Sequence, residues 1–197
     1  KLSEERKKEF DQDSLSNPFS DTRILTGDKN QKVKRVLVGI DIDSAELMIA
    51  KFLSKHENKP VDLVISHHPL GPALADLHSV MHLHAEVLHQ YGVPINIAEG
   101  VMKERISEVA RGVSVINHNK EVDSAKLLEL NLMCVHTPAD NLAADFLNKK
   151  IKKAKIETVG DVVKMLKTIP EYQKAAQLKA GPKIFVGAAS NRTGKIA

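Results

Sequence analysis

Hydrophobic positions along the chain fall into short runs separated by longer amphipathic stretches. Val33 to Ile40 reads as a strand, and Asp41 to Ser44 offers caps for the helix that follows. Leu47, Ile49, Ala50, Phe52 and Leu53 give that helix a face that suits a sheet, and Lys59-Pro60 ends it. Residues 61–66 form the next strand, with Leu63, Val64 and Ile65 expected to be buried on both faces. Strand, helix and strand make a β-α-β unit, which implies a right-handed crossover and parallel pairing. Beyond a turn at 69–72 the pattern predicts a helix over 76–91 ended by Gly92, a strand over 93–98 and a helix over 101–110. A helix over 120–130 with Asn119 as its cap, a strand over 132–136 and an amphipathic helix over 140–153 come next. A helix over 157–169 and a strand over 183–188 complete the pattern. Residues 1–31 are polar, the first ten suiting the end of a helix and the rest having loop composition. The expected class is α/β, with β-α-β units on a mixed, partly parallel sheet, and the expected division is a polar segment 1–31 and an α/β domain 32–197.

The chemistry concentrates where two of these strands end. Residues 61–71 run VDLVISHHPLG, so a buried strand stops at two adjacent histidines and a proline. Ligands of open α/β sheets sit outside the carboxyl ends of the strands, and imidazole suits zinc, copper, iron and nickel. Neighbouring side chains on extended backbone diverge, and Pro69 holds His68 extended. His67 and His68 can therefore each serve a different ion of a metal pair, or be two loop histidines at a surface turn. The strand over 132–136 repeats the logic, with His136, Pro138 and Asp140 at its end. Asp140 reads either as a helix N-cap or as a ligand. If both strands are parallel, one sheet edge gathers His67, His68, His136 and Asp140.

Composition narrows the classes without choosing among them. The chain has 197 residues, a net charge of +4 and 4% aromatic residues with no Trp, so stacking platforms for single-stranded nucleic acid are poorly supported. Specific nucleic-acid binding is not expected, whereas a small anionic substrate is compatible with the charge. A lone Cys134 excludes an intrachain disulfide and suits a reducing, cytoplasmic setting. No apolar run is long enough for a membrane-spanning helix. Gly187 to Lys195 has six residues between its Gly and the Gly-Lys pair, so it is not a P-loop. The run Lys149, Lys150, Lys152, Lys153 and Lys155 reads as a solvated face, and Cys134 as a buried structural thiol.

Ser66-His67-His68-Pro69 followed by His136-Thr137-Pro138-Ala139-Asp140 resembles the Nif-three-like family, also catalogued as GTP cyclohydrolase one type-two homologues. DTRIL, VLVGIDI, VPINIAEG and NHNKEVDSAKLL resemble a branch of it, and the likeness extends over roughly residues 20–190. The resemblance implies a two-lobed fold, a ring-like homo-oligomer and a centre of two divalent ions. His67 and His68 would each bind one ion, with Asp140 bridging them. Zinc, manganese, iron and cobalt all accept such donors. The family's C-terminal His and Glu ligands have no match, since no His follows His136, and the expectation is that a C-terminal part is missing.

The expected function is a metal-dependent hydrolase or cyclohydrolase-like enzyme in which two ions share a water and make hydroxide at neutral pH. The alternative is a non-catalytic metal-binding regulatory or interaction scaffold. His136 is expected to be a further ligand, to orient Asp140 or to move a proton. His78, His82, Glu86 and His89 share one helical arc and read as a polar face or a ligand strip. Of these His82, together with Glu99 and His118 at predicted strand or turn ends, is a candidate replacement ligand.

Overall fold

The computed structural model describes residues 3–56 and 59–196. Contacts divide it into two compact units, Lys1–Asp140 and Asn141–Ala197. The first is built on a mixed four-stranded sheet of order β1-β4-β3-β2, formed by β1 (Arg23–Thr26), β2 (Val36–Gly39), β3 (Leu63–Ser66) and β4 (Leu132–Cys134). The pairs β2-β3 and β3-β4 are parallel, whereas β1 runs antiparallel to β4. The α/β class and the partly parallel sheet are as the hydrophobic pattern implies.

The helix after β2, α2 (Ser44–His56), starts where expected. Asp43 Oδ1 accepts from the Ala45 amide at 2.7 Å, and Glu46 Oε2 accepts from the Asp43 amide at 3.0 Å, satisfying donors that a helix start leaves open. Leu47 and Ala50 point from α2 into a core shared with Ile42, Val64, Leu70, Ala125, Leu130 and Leu132. Val122 and Ala125 are the buried positions of α7 (Lys120–Leu127). Asn119 holds the N-cap position of α7 without a side-chain hydrogen bond.

Burial on both sheet faces, expected from the apolar run of β3, holds on one face only. Ile24, Val36 and Val38 are 55%, 39% and 68% exposed, whereas Val64 and Leu132 are fully buried. The apolar run therefore conceals a period of two, read by the packing and not by residue type.

Three further expectations change. Residues 23–26, read as loop, form β1, because Ile24 and Leu25 supply enough apolar surface for an edge strand. Residues 93–98, read as a strand, open α6 (Ile95–Ser114), with Pro94 as its N-cap residue and Ala98 buried. The β-branched run suggested a strand, but a proline at a helix entrance and burial of one helical stripe decide for helix. The helix expected over 76–91 is interrupted, as α4 (Leu77–Val80) and α5 (His82–Gln90) meet at Met81 after a short α3 (Pro72–Ala75).

Helix α8 (Thr137–Lys153) crosses the boundary between units. The second unit holds α9 (Val159–Leu166), within the helix expected over 157–169, and α10 (Pro170–Gln177), in residues for which no element was expected. Pro170 starts α10 at a position that needs no amide donor. Residues 183–188, read as a strand, adopt no strand, and Phe185 and Val186 are 85% and 91% exposed. A strand needs a partner's hydrogen bonds, and none is paired with them among the described residues. No described helix is long and apolar enough to cross a membrane.

Two measurements check this packing. Leu132→Ala should cost about 2–5 kcal/mol in urea unfolding, while Val38→Ala on the open face should stay within about 0.5 kcal/mol. Asp161, held mainly by the Thr158 hydroxyl within a capping box, has its carboxyl lowered to about 2. A folded value below the unfolded one, about 3.9, gives stability that is present above that pH and is lost as pH falls through about 2. Thermal unfolding of Asp161→Ala should therefore be less pH-sensitive across that acid window than that of the parent.

Candidate metal centre

The parallel strands end at one edge, and their ends are tied together by backbone. The His67 amide donates to Gly39 O and the His68 amide to Ile40 O, both at 2.9 Å, while the Val135 amide donates to Ser66 O at 2.9 Å. The buried Ser66 hydroxyl donates to His68 O at 2.7 Å and closes the turn. Gly71 follows at φ +57, with its amide on His118 O, and a Cβ there would stand 2.7 Å from Val122 Cγ2. A side chain would thus be both strained and blocked, which explains the glycine after His-His-Pro-Leu.

On this frame His67, His136 and Asp140 each offer a ligand atom, all within 4.8 Å of one another. His67 Nε2 lies 3.5 Å from Asp140 Oδ1, and His136 Nε2 lies 3.7 Å from Asp140 Oδ2. Donors about 2.0–2.1 Å from one tetrahedral ion stand roughly 3.4 Å apart, so the spacing fits shared ligation. Asp140 is not the N-cap of α8. The helix begins three residues earlier, and Asp140 sits in its first turn, where the helix dipole favours a carboxylate.

The other ring nitrogens support the same assignment. His67 Nδ1 faces Val135 O at 3.1 Å, His136 Nδ1 faces Asp21 Oδ2 at 2.9 Å, and His68 Nδ1 faces Asp41 Oδ1 at 2.6 Å. Each partner can only accept in its ionised or carbonyl form, so each Nδ1 carries a hydrogen. In the neutral rings Nε2 is then left with its lone pair free. Metal-ligating histidines are typically held in this way, and the three residues therefore fit a divalent ion.

The placement of the expected residues differs in detail from the spacing argument. His68 stands beside the cluster, its ring 5.3 Å from that of His67 and 6.2 Å from that of His136, and leans on Asp41. His136, expected as a ligand, as the residue that orients Asp140 or as a proton carrier, stands in the candidate ligand group. His82 and Glu99 line a separate cavity of about 280 Å³ between α5 and α6, with Lys103 and Ser107. His118 Nε2 is engaged with Val113 O at 2.6 Å. His89 Nδ1 lies on Val93 O, and His78 Nδ1 is buried without a partner, so the histidine arc of 78–89 forms no ligand group among the described residues.

Asp21 and Asp41 were not singled out by the sequence reading. Asp41 ends the strand pattern before α2 and was read only as a cap. Asp21 lies in the polar stretch, and only the recognition of β1 as an antiparallel neighbour of β4 could have brought it here.

A solved structure of a NIF3 superfamily protein from Sphaerobacter thermophilus is similar to the chain at a TM-score of 0.79 and 30% identity. The match covers 90% of this chain and 63% of that one, so the chain spans less than two thirds of that protein's length. No family model matches the chain, and no curated protein does.

Cys134 ends β4, fully buried with its thiol on Asp21 O, and desolvation pushes its thiol pKa up. Thiolate is the reactive form, so Cys134 should resist a maleimide or disulfide reagent at neutral pH until the protein is unfolded in denaturant.

Proposed function

The chain belongs to the Nif-three-like family, and from that premise we propose that it is a divalent-metal-dependent hydrolase or cyclohydrolase-like enzyme. The observation that carries the reading is the arrangement of His67, His136 and Asp140, with both Nδ1 atoms engaged and both Nε2 atoms facing one carboxylate. On this reading these residues would hold one ion, and His68, its Nδ1 on Asp41, would supply a ligand nitrogen to the second ion of a pair. Zinc, manganese, iron and cobalt are all accepted by such a set. When bound, the metal supplies Lewis acidity and lowers the pKa of water at the site.

The protein's own groups supply position and access. The backbone ties between strand ends fix where His67 and His136 start, and their Nδ1 partners fix how the rings turn. Asp140 is 56% exposed in its side chain and His67 28%, so both candidate ligands face solvent in this chain. A small anionic or nucleotide substrate agrees with the net charge of +4. Self-association into a ring belongs to the same proposal.

A non-catalytic scaffold is the second reading, favoured by the open apolar sheet face at Ile24, Val36 and Val38. The two readings part on turnover. Metal content should be measured on the protein after reconstitution with zinc, manganese, iron and cobalt, and on His67→Ala and Asp140→Ala. Bound metal in the parent that falls to background in both variants is the expected result. A parent that retains none of the four metals would sink the enzyme reading. Metal-dependent hydrolysis in a screen of nucleotides and small anionic esters would then separate enzyme from scaffold.

A further inference from the structure

Asp21 is fully buried, and among the described residues no Lys or Arg is paired with it. A buried carboxylate is expensive unless hydrogen-bonded donors surround it. Its Oδ2 collects three of them, namely His136 Nδ1 at 2.9 Å, the Thr137 amide at 3.2 Å and the Thr137 hydroxyl at 2.5 Å. Among the described residues Oδ1 accepts from the Thr22 hydroxyl, at 3.4 Å. The same dipeptide grips the backbone as well, since the His136 amide donates to Thr22 Oγ1 at 3.0 Å.

Capping the start of α8 does not by itself call for a charge. The Thr137 amide and hydroxyl would be satisfied by a neutral side-chain oxygen. What a carboxylate adds is at the imidazole: it holds the hydrogen on Nδ1 and makes Nε2 a stronger donor. His67 has only a neutral carbonyl in that role. Asp41 serves His68 from a side chain that is 82% exposed, where water competes for the same bond. The contact to His136 is therefore the one made by a carboxylate that water does not reach.

We propose that Asp21 is a positioning residue of the metal centre, one that holds His136 with Nε2 turned to Asp140 and so makes His136 a direct metal ligand. The proposal rests on the metal-binding reading above and adds to it a buried carboxylate just before β1. Topology explains how a residue so distant in sequence reaches the site. Because β1 is antiparallel to β4, the residues just before β1 lie beside the residues just after β4.

Zinc affinity, measured by competition with a chromophoric chelator, should be compared in the parent, Asp21→Asn, His136→Ala and the double variant. Circular dichroism checks that each is folded. Asp21→Asn should bind zinc about ten- to a hundredfold more weakly than the parent. In the His136→Ala background the same change should add no further loss, because its effect passes through that ring. A loss of equal size in both backgrounds, or no loss in either, would overturn the proposal. Should Asp21→Asn fail to fold, the parent protein still decides. Long-range proton–nitrogen NMR on metal-free protein, at a pH where imidazoles are neutral, should find His136 with its hydrogen on Nδ1, and a hydrogen on Nε2 would refute the assignment. A parent that binds no zinc at all would overturn the metal-binding reading first, and this inference with it. A parent that binds zinc with additive losses would overturn this inference alone.

Discussion

Parallel pairing of β2, β3 and β4 is the constraint on which the rest depends. Parallel strands end at the same edge, so the residues that follow each of them must meet. The amides of His67, His68 and Val135 then bond across to the neighbouring strand ends. Those bonds make the positions of two histidine-bearing turns properties of the sheet and not of flexible loops. Placing a site on rigid elements is what allows ring nitrogens to be aimed to within tenths of an ångström.

The edge strand adds a second kind of control. Without β1 the edge of β4 would be unpaired, an invitation to further strand addition. With it, the edge is covered and Asp21 is delivered beneath His136. Arg23 of β1 in turn reaches Asp11 at 2.6 Å and Asp13 at 3.1 Å, which ties the polar N-terminal stretch to the sheet. One short antiparallel pairing thus serves both strand coverage and ligand orientation.

The sequence was legible where apolar runs coincided with turn chemistry. Residues 33–66 show a strand, a capped amphipathic helix and a second strand, and the structure has β2, α2 and β3 there. The run 132–134 and the helix after it were legible for the same reason, and so was the gathering of His67, His136 and Asp140 at one edge. Residues 93–98 misled because Val93, Ile95 and Ile97 alternate as a strand would, while their fate was set by Ala98 packing one helical turn away. Residues 183–188 have strand composition but no paired strand among the described residues, and composition does not report pairing. The Nδ1 partners were out of reach altogether. Val135 O, Asp41 and Asp21 are defined by ring orientation and by contacts across the fold, neither of which has a local signature.

The separations along the chain give the centre a kinetic character. His67 meets Val135 across 68 residues, and His136 meets Asp21 across 115. Contacts of such span are closed late, since the entropy of the intervening chain must be overcome before they contribute. His136 and Asp140 are sequence neighbours, but the full donor set exists only once the sheet has closed and His67 has joined them. Synthesis must pass Asp140, and the whole sheet must close, before the ring nitrogens converge. The centre consequently discriminates folded from unfolded protein, and an ion that binds it stabilises the complete sheet and not any local piece of it.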